Sequence, residues 1–122
     1  MIGGAGLGRE GLDPRLYQLD LTSDEWRAVA TSGDQPPSFQ GASLTFDEQY
    51  NVLLLVGGLR HAGPGPATMS DAWIFDPSSA HWYRADGGDL VRRRDHIAGY
   101  DVRSGAHYVM GGHVSRIGRA HV

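Results

Sequence analysis

The sequence predicts an all-β protein built from a repeated unit of four short antiparallel strands. Three observations carry this. The apolar residues fall in short runs, several alternating with polar ones at period 2, and these suit strands better than helices. Glycine doublets recur at Gly3-Gly4, Gly57-Gly58 and Gly111-Gly112, 54 residues apart each time. With 18 Gly and 6 Pro in 122 residues the chain has too many breakers for a helical protein, yet 40% hydrophobic content is too much for a disordered one.

Met1-Ile2-Gly3-Gly4 reads as the end of a strand closing on di-glycine. Residues 5–16 form a polar loop broken at Asp13-Pro14. From Leu16 to Leu21, Tyr17, Leu19 and Leu21 alternate with Gln18 and Asp20, the signature of a half-buried strand. Thr22 to Glu25 turn the chain, and Trp26 to Ala30 lead back; residues 23–30 are the only helical possibility, and eight residues are marginal for a helix. A loop around Pro36-Pro37 precedes a short strand at 42–46, a turn at 47–51 and the apolar run Val52 to Val56, which stops on Gly57-Gly58. After a Gly- and Pro-rich loop come Trp73-Ile74-Phe75-Asp76, a tight turn at 77–80 and His81-Trp82-Tyr83. A loop over 86–95 leads to a last hairpin, 96–100 with 106–112, and residues 114–122 form a polar tail.

These pieces overlay on one another. Residues 39–58 lie over 93–112 without a gap, bringing Phe46 onto Tyr100, Asp47 onto Asp101 and Leu54 onto Tyr108. Tyr17 and Asp20 lie over Trp73 and Asp76, and Trp26 over Trp82, each pair 56 residues apart. A period of roughly 50 residues made of four short strands is the size of one blade of a β-propeller. Each repeated residue has a physical use. Glycine doublets permit positive φ and close backbone approach. Asp20 and Asp76 suit a side-chain bond to backbone N–H groups of the following turn. Tyr17, Trp26, Trp73 and Trp82 supply flat apolar area to cover a neighbouring sheet.

The Gly-Gly doublet, the aromatic-x-x-Asp-x5-Trp segment and Arg93-x-x-His96 before a strand together resemble the kelch repeat over nearly the whole chain. The central unit has Phe39 and Ala42 where the last has Arg93 and His96. The resemblance implies a partial propeller: 1–30 the outer half of a blade, 31–85 a complete blade, and 86–113 the inner half of a third. A closed propeller has about 4–8 blades. Two blade flanks are therefore expected to lack cover, to be supplied by further chain, the chain being a fragment, or by identical copies closing a ring. Kelch proteins most often act as binding platforms, and some catalytic propellers share the fold.

Composition narrows the function. A net charge of −3 with no charged tail does not point to nucleic acid or to membrane electrostatics. The chain has no Cys, hence no disulfide framework, no thiol chemistry and no Tyr–Cys cross-link of the galactose oxidase kind. No run nears the roughly 18 apolar residues of a spanning helix, and the N-terminus does not read as a signal peptide, so a soluble domain is expected. Connections alternate in length. Residues 47–51, 77–80 and 102–105 are short, whereas 5–16, 31–40, 59–72 and 86–95 are long, so the long ones fall on one face. That face carries Arg9, Arg15 and Asp95 and the candidate binding residues Arg60, His61, Arg92, Arg93 and Arg94, suited to a carboxylate, a phosphate or an acidic peptide. The alternatives are a solvated charge run and an arginine packed within the blade. His107 and His113 lie at opposite ends of one strand, roughly 20 Å apart at about 3.3 Å per residue, too far to share a metal. No carboxylate pair, Gly-x-Ser-x-Gly or complete phosphate loop is present; Gly3 to Gly8 lacks the Lys-Ser/Thr. The expected function is non-enzymatic binding of a protein or acidic ligand, with no cofactor. A segment of a propeller enzyme acting on sugars or other small molecules, with its catalytic groups elsewhere, is the alternative, and a purely structural remnant a third.

Overall fold

A computed structural model describes residues 13, 15–36, 39–60, 67–68, 72–85 and 92–114. The doublet Gly3-Gly4, with Arg9, His61 and residues 115–122, lies outside them. All regular structure among the described residues is strand and turn. No helix there is long and apolar enough to cross a membrane. The sheets do not close into a barrel or ring among these residues.

Four antiparallel hairpins form the frame: β1 (Tyr17–Asp20) with β2 (Glu25–Ala28), β5 (Ser43–Asp47) with β6 (Val52–Val56), β9 (Ala72–Asp76) with β10 (His81–Ala85), and β12 (Ile97–Asp101) with β13 (Ala106–Met110). Each turns on the same device. An Asp ends the first strand and its carboxylate accepts a turn N–H: Thr22 for Asp20, Tyr50 for Asp47, Ser78 for Asp76 and Arg103 for Asp101. The last turn residue takes positive φ at Asp24, Asn51, Ala80 and Gly105. The segment 23–30 is thus turn and strand rather than helix: the Asp20 turn reverses the chain and β2 pairs along β1.

The second and third hairpins join through β6 and β9 into one antiparallel sheet, with Leu53 opposite Phe75 and Leu55 opposite Trp73. Short strands add to this frame inside the segments expected as loops. β3 (Ser32–Gly33) runs parallel to β10 at its outer edge. β4 (Phe39–Gln40), β7 (Leu59–Arg60) and β8 (Ala67–Thr68) make a small sheet, and β11 (Arg93–Arg94) pairs with β14 (His113–Val114), so Val114 is strand rather than tail. β4–β7 and β11–β14 repeat at the same spacing as β5–β6 and β12–β13.

The pleat sorts the central sheet into two faces. Leu44, Phe46, Leu53, Leu55, Trp73, Phe75 and Trp82 share one, by register. Leu16, beside β1, joins Leu55, Trp73, Phe75 and Trp82 in the buried core, with Val29 packed against it. The Phe75 and Trp82 rings sit 5.0 Å apart, tilted. Ser43, Thr45 and Asp47 lie on the opposite face, and their bonds to His96 and His107 show that β12–β13 covers it. Among the described residues the frame strands therefore stack as hairpin, sheet, hairpin.

The two equivalent tryptophans differ sharply: Trp82 is 2% exposed and Trp26 is 61% exposed. Trp82→Ala is expected to cost about 3–5 kcal/mol in urea unfolding, and Trp26→Ala, in dilute solution, no more than about 0.5 kcal/mol. Equal losses would mean that the β1–β2 face is covered within one molecule.

Candidate functional site

Of the expected binding residues, Arg93 and Arg94 lie on one backbone crossing and Arg92 just before it. Residues 93–96 pass between the two glycine doublets. The Gly58 N–H donates to the Arg93 carbonyl at 2.9 Å, and the Asp95 N–H to the Gly41 carbonyl at 2.8 Å. A Cβ on Gly57 would stand 2.6 Å from the Arg93 oxygen, and one on Gly112 would stand 2.4 Å from the Arg94 oxygen. Both glycines also have positive φ, so no other residue fits here without a shift of the backbone. The doublets thus act as slots for the segment that carries the arginines.

Arg92, just before that segment, and Arg93 and Arg94 within it differ. Arg92 is exposed. The Arg93 guanidinium donates to the Gly111 carbonyl at 3.2 Å, which ties it to the second doublet. Arg94 pairs with the exposed Asp95 carboxylate at 3.3 Å. Arg60 lies on β7, opposite Phe39 and Ala67, two residues past Gly58; His61 is outside the described residues. Arg15 is taken up by Asp13, which it bonds at 3.0 Å, and this ion pair with the Tyr17 hydroxyl holds the Asp13 carboxyl well below the usual range.

His96, at the end of the crossing, has Nε2 2.8 Å from the Ser43 hydroxyl. Burial, with the Arg93 charge adding to it, holds its imidazole below the ordinary value. Further along the same interface, His107 Nε2 lies 2.9 Å from the Asp47 carboxylate and Nδ1 lies 2.9 Å from the Thr45 hydroxyl. An ionised carboxylate only accepts, so Nε2 carries a proton. The Tyr50 N–H and His107 together hold the Asp47 carboxyl below its usual value. Hydroxyl, imidazole and carboxylate stand in line, as in a nucleophile relay. Their setting is different. The imidazole is 17% exposed and the carboxylate 9%, closed between two sheets, and the ring packs tilted against Tyr100, centroids 4.8 Å apart. We read the array as a polar link that fixes β13 against β5.

The sequence overlay contains the signal for this link. His107 occupies the register of Leu53, a polar residue where the equivalent unit is apolar. Only the stacking of the two sheets reveals that Asp47 and Thr45 face it. Among the described residues no group of three His, Asp or Glu could hold a metal ion. A cleft of about 300 Å³ opens on the opposite face of the central sheet, lined by Leu16, Val29, Phe46, Leu53 and Phe75 among others.

Two pH windows follow. Burial lowers His96 below its unfolded value of about 6.5, so stability falls as pH drops through about 6.5. Asp47, Asp76 and Asp101 are held low by turn and side-chain hydrogen bonds. Their contribution is complete above about pH 4 and is lost as pH falls through the lowered values. In urea titrations across pH, His96→Gln should flatten the upper step and Asp47→Asn part of the lower one; unchanged slopes would contradict these assignments. Gly112→Ala, strained in both φ and space, should cost more than about 1 kcal/mol.

Compared with known proteins, the chain matches no protein-family model and no curated protein sequence.

Proposed function

We propose that the chain is a kelch-type segment of a β-propeller and serves as a non-enzymatic binding module for a protein or other ligand bearing carboxylates. Two features support the propeller reading. The hairpins and the short strands beside them recur at fixed spacing, and one antiparallel four-stranded sheet, β5–β6–β9–β10, is complete. The binding reading is carried by one observation: the Arg94–Asp95 pair rides on a backbone pinned between two glycine doublets, with exposed Arg92 just before it.

Preorganisation is what gives such a site value. A guanidinium on a floppy loop loses rotamer and backbone freedom when it grips a carboxylate; one on a fixed crossing loses less. Arg93 holds the crossing by its bond to Gly111, leaving Arg92 and Arg94 to meet the ligand. Asp95 tempers the site, since an incoming carboxylate must displace it from Arg94. The turns of β5–β6 and β12–β13 lie together at the other end, where the Gln49 N–H reaches the Tyr100 hydroxyl at 3.4 Å. Arg93 and Arg94, on the strand paired with His113–Val114, lie at the opposite end of these hairpins from those turns.

A short poly-glutamate peptide is a suitable first probe, titrated calorimetrically at low salt. The double variant Arg92→Ala/Arg94→Ala should weaken binding by about tenfold or more, and added salt should weaken the native chain in the same direction. Affinity unchanged by both would remove the site.

A further inference from the structure

The large exposed apolar side chains on the frame strands are Trp26, Phe46, Tyr83, Ile97, Tyr108 and Met110. They do not scatter. Trp26 shares a face of the β1–β2 hairpin with Leu19 and Tyr17. Ile97, Tyr108 and Met110 share the face of β12–β13 turned away from the central sheet. Phe46 lines the cleft, and Tyr83 lies on β10 beyond the cover of β12–β13. Among the described residues β1 pairs only with β2, and β13 only with β12, so each hairpin presents an edge with no strand partner among them.

The chain contains the complement of each orphan. β12–β13 repeats β5–β6, and β6 pairs with β9. β1–β2 repeats β9–β10. The natural partner for β13 is therefore β1. Within one molecule they cannot meet, because β1–β2 packs on one face of the central sheet and β12–β13 on the other.

We propose that β13 of one molecule pairs edge to edge with β1 of a second copy, completing a four-stranded antiparallel sheet between the two chains. The register follows from β6–β9: Tyr108 stands opposite Gln18 of the second copy, and Val109 opposite its Tyr17. In this arrangement Trp26 of the second copy is covered by Tyr83 and Ile74 of the first, as Trp82 is covered within the chain. Ile97, Tyr108 and Met110 of the first copy enter the second copy's cleft beside Phe46 and Leu53. One contact accounts for all six exposed side chains. It is head-to-tail, so successive copies form a ring or an open polymer, and it removes two exposed strand edges. The inference rests on the repeat and not on the binding reading of the arginines, so poly-glutamate binding and self-association can fail independently.

Sedimentation velocity on the full chain, from about 1 to about 200 μM, tests it. The native chain should associate as concentration rises. Trp26→Glu alone, and Tyr108→Glu/Met110→Glu alone, should each weaken association at least about tenfold. Mixed, they should give a one-to-one dimer and nothing larger, because each retains one intact surface. A native chain monomeric throughout, or variants that associate as it does, would overturn the proposal. Folding of the variants is checked by near-ultraviolet circular dichroism of buried Trp82. A second test uses the lack of native Cys. Gln18→Cys and Tyr108→Cys chains, mixed and oxidised, should give mainly the mixed disulfide dimer; a statistical distribution would also overturn it.

Discussion

The close approach of backbone to backbone at Gly57 and Gly112 is the constraint on which the rest depends. Residues 93–96 lie where side chains would otherwise stand, and two main-chain hydrogen bonds, from Gly58 and from Asp95, hold them there. This fixes where β12 begins. With β12 fixed, β12–β13 lies along the second face of the central sheet, and His96 and His107 reach Ser43, Thr45 and Asp47. Glycine costs conformational entropy wherever it is used. Here it is used where a Cβ would collide with a carbonyl oxygen, and that collision would be the larger cost.

The two faces of the central sheet are held in different ways. Against β1–β2 the contact is apolar, built on Leu16, Leu55, Trp73, Phe75 and Trp82, and it gains by area removed from water. Against β12–β13 it is a row of polar pairs set among apolar side chains. Such pairs add less net stability than their number suggests, because each group gives up water to form them. Their effect is on register. A one-residue slip of β13 would turn His107 away from Asp47 and leave one oxygen of a nearly buried carboxylate without its imidazole partner. The apolar face gives strength, and the polar face gives alignment.

The hairpins are legible in the sequence because two local signals agree, alternation in the strands and an Asp at each turn. The turn role is legible at Asp20 and Asp76; Asp47 and Asp101 do the same, and their spacing of 54 residues carries the clue. The two-residue strands are not legible. They have no period to detect and exist only because distant segments meet. Arg92 to Arg94 are legible as cations on a long connection, but nothing local distinguishes Arg93, which bonds Gly111, from exposed Arg92. The His107 link is hidden for the same reason: its partners lie about sixty residues earlier, on a sheet that must first be stacked.

The central claim is that the segment 93–96 is locked to the glycine doublets as firmly as the sheets are locked within themselves. Native-state amide hydrogen exchange on the full chain measures this at single residues. The Gly58 and Asp95 amides should exchange as slowly as those of the β6–β9 ladder, since opening them requires lifting β12–β13 from the sheet. If the two amides exchange at the rate of free peptide while β6–β9 stays protected, the crossing is not locked, and the arginines do not stand on a rigid base.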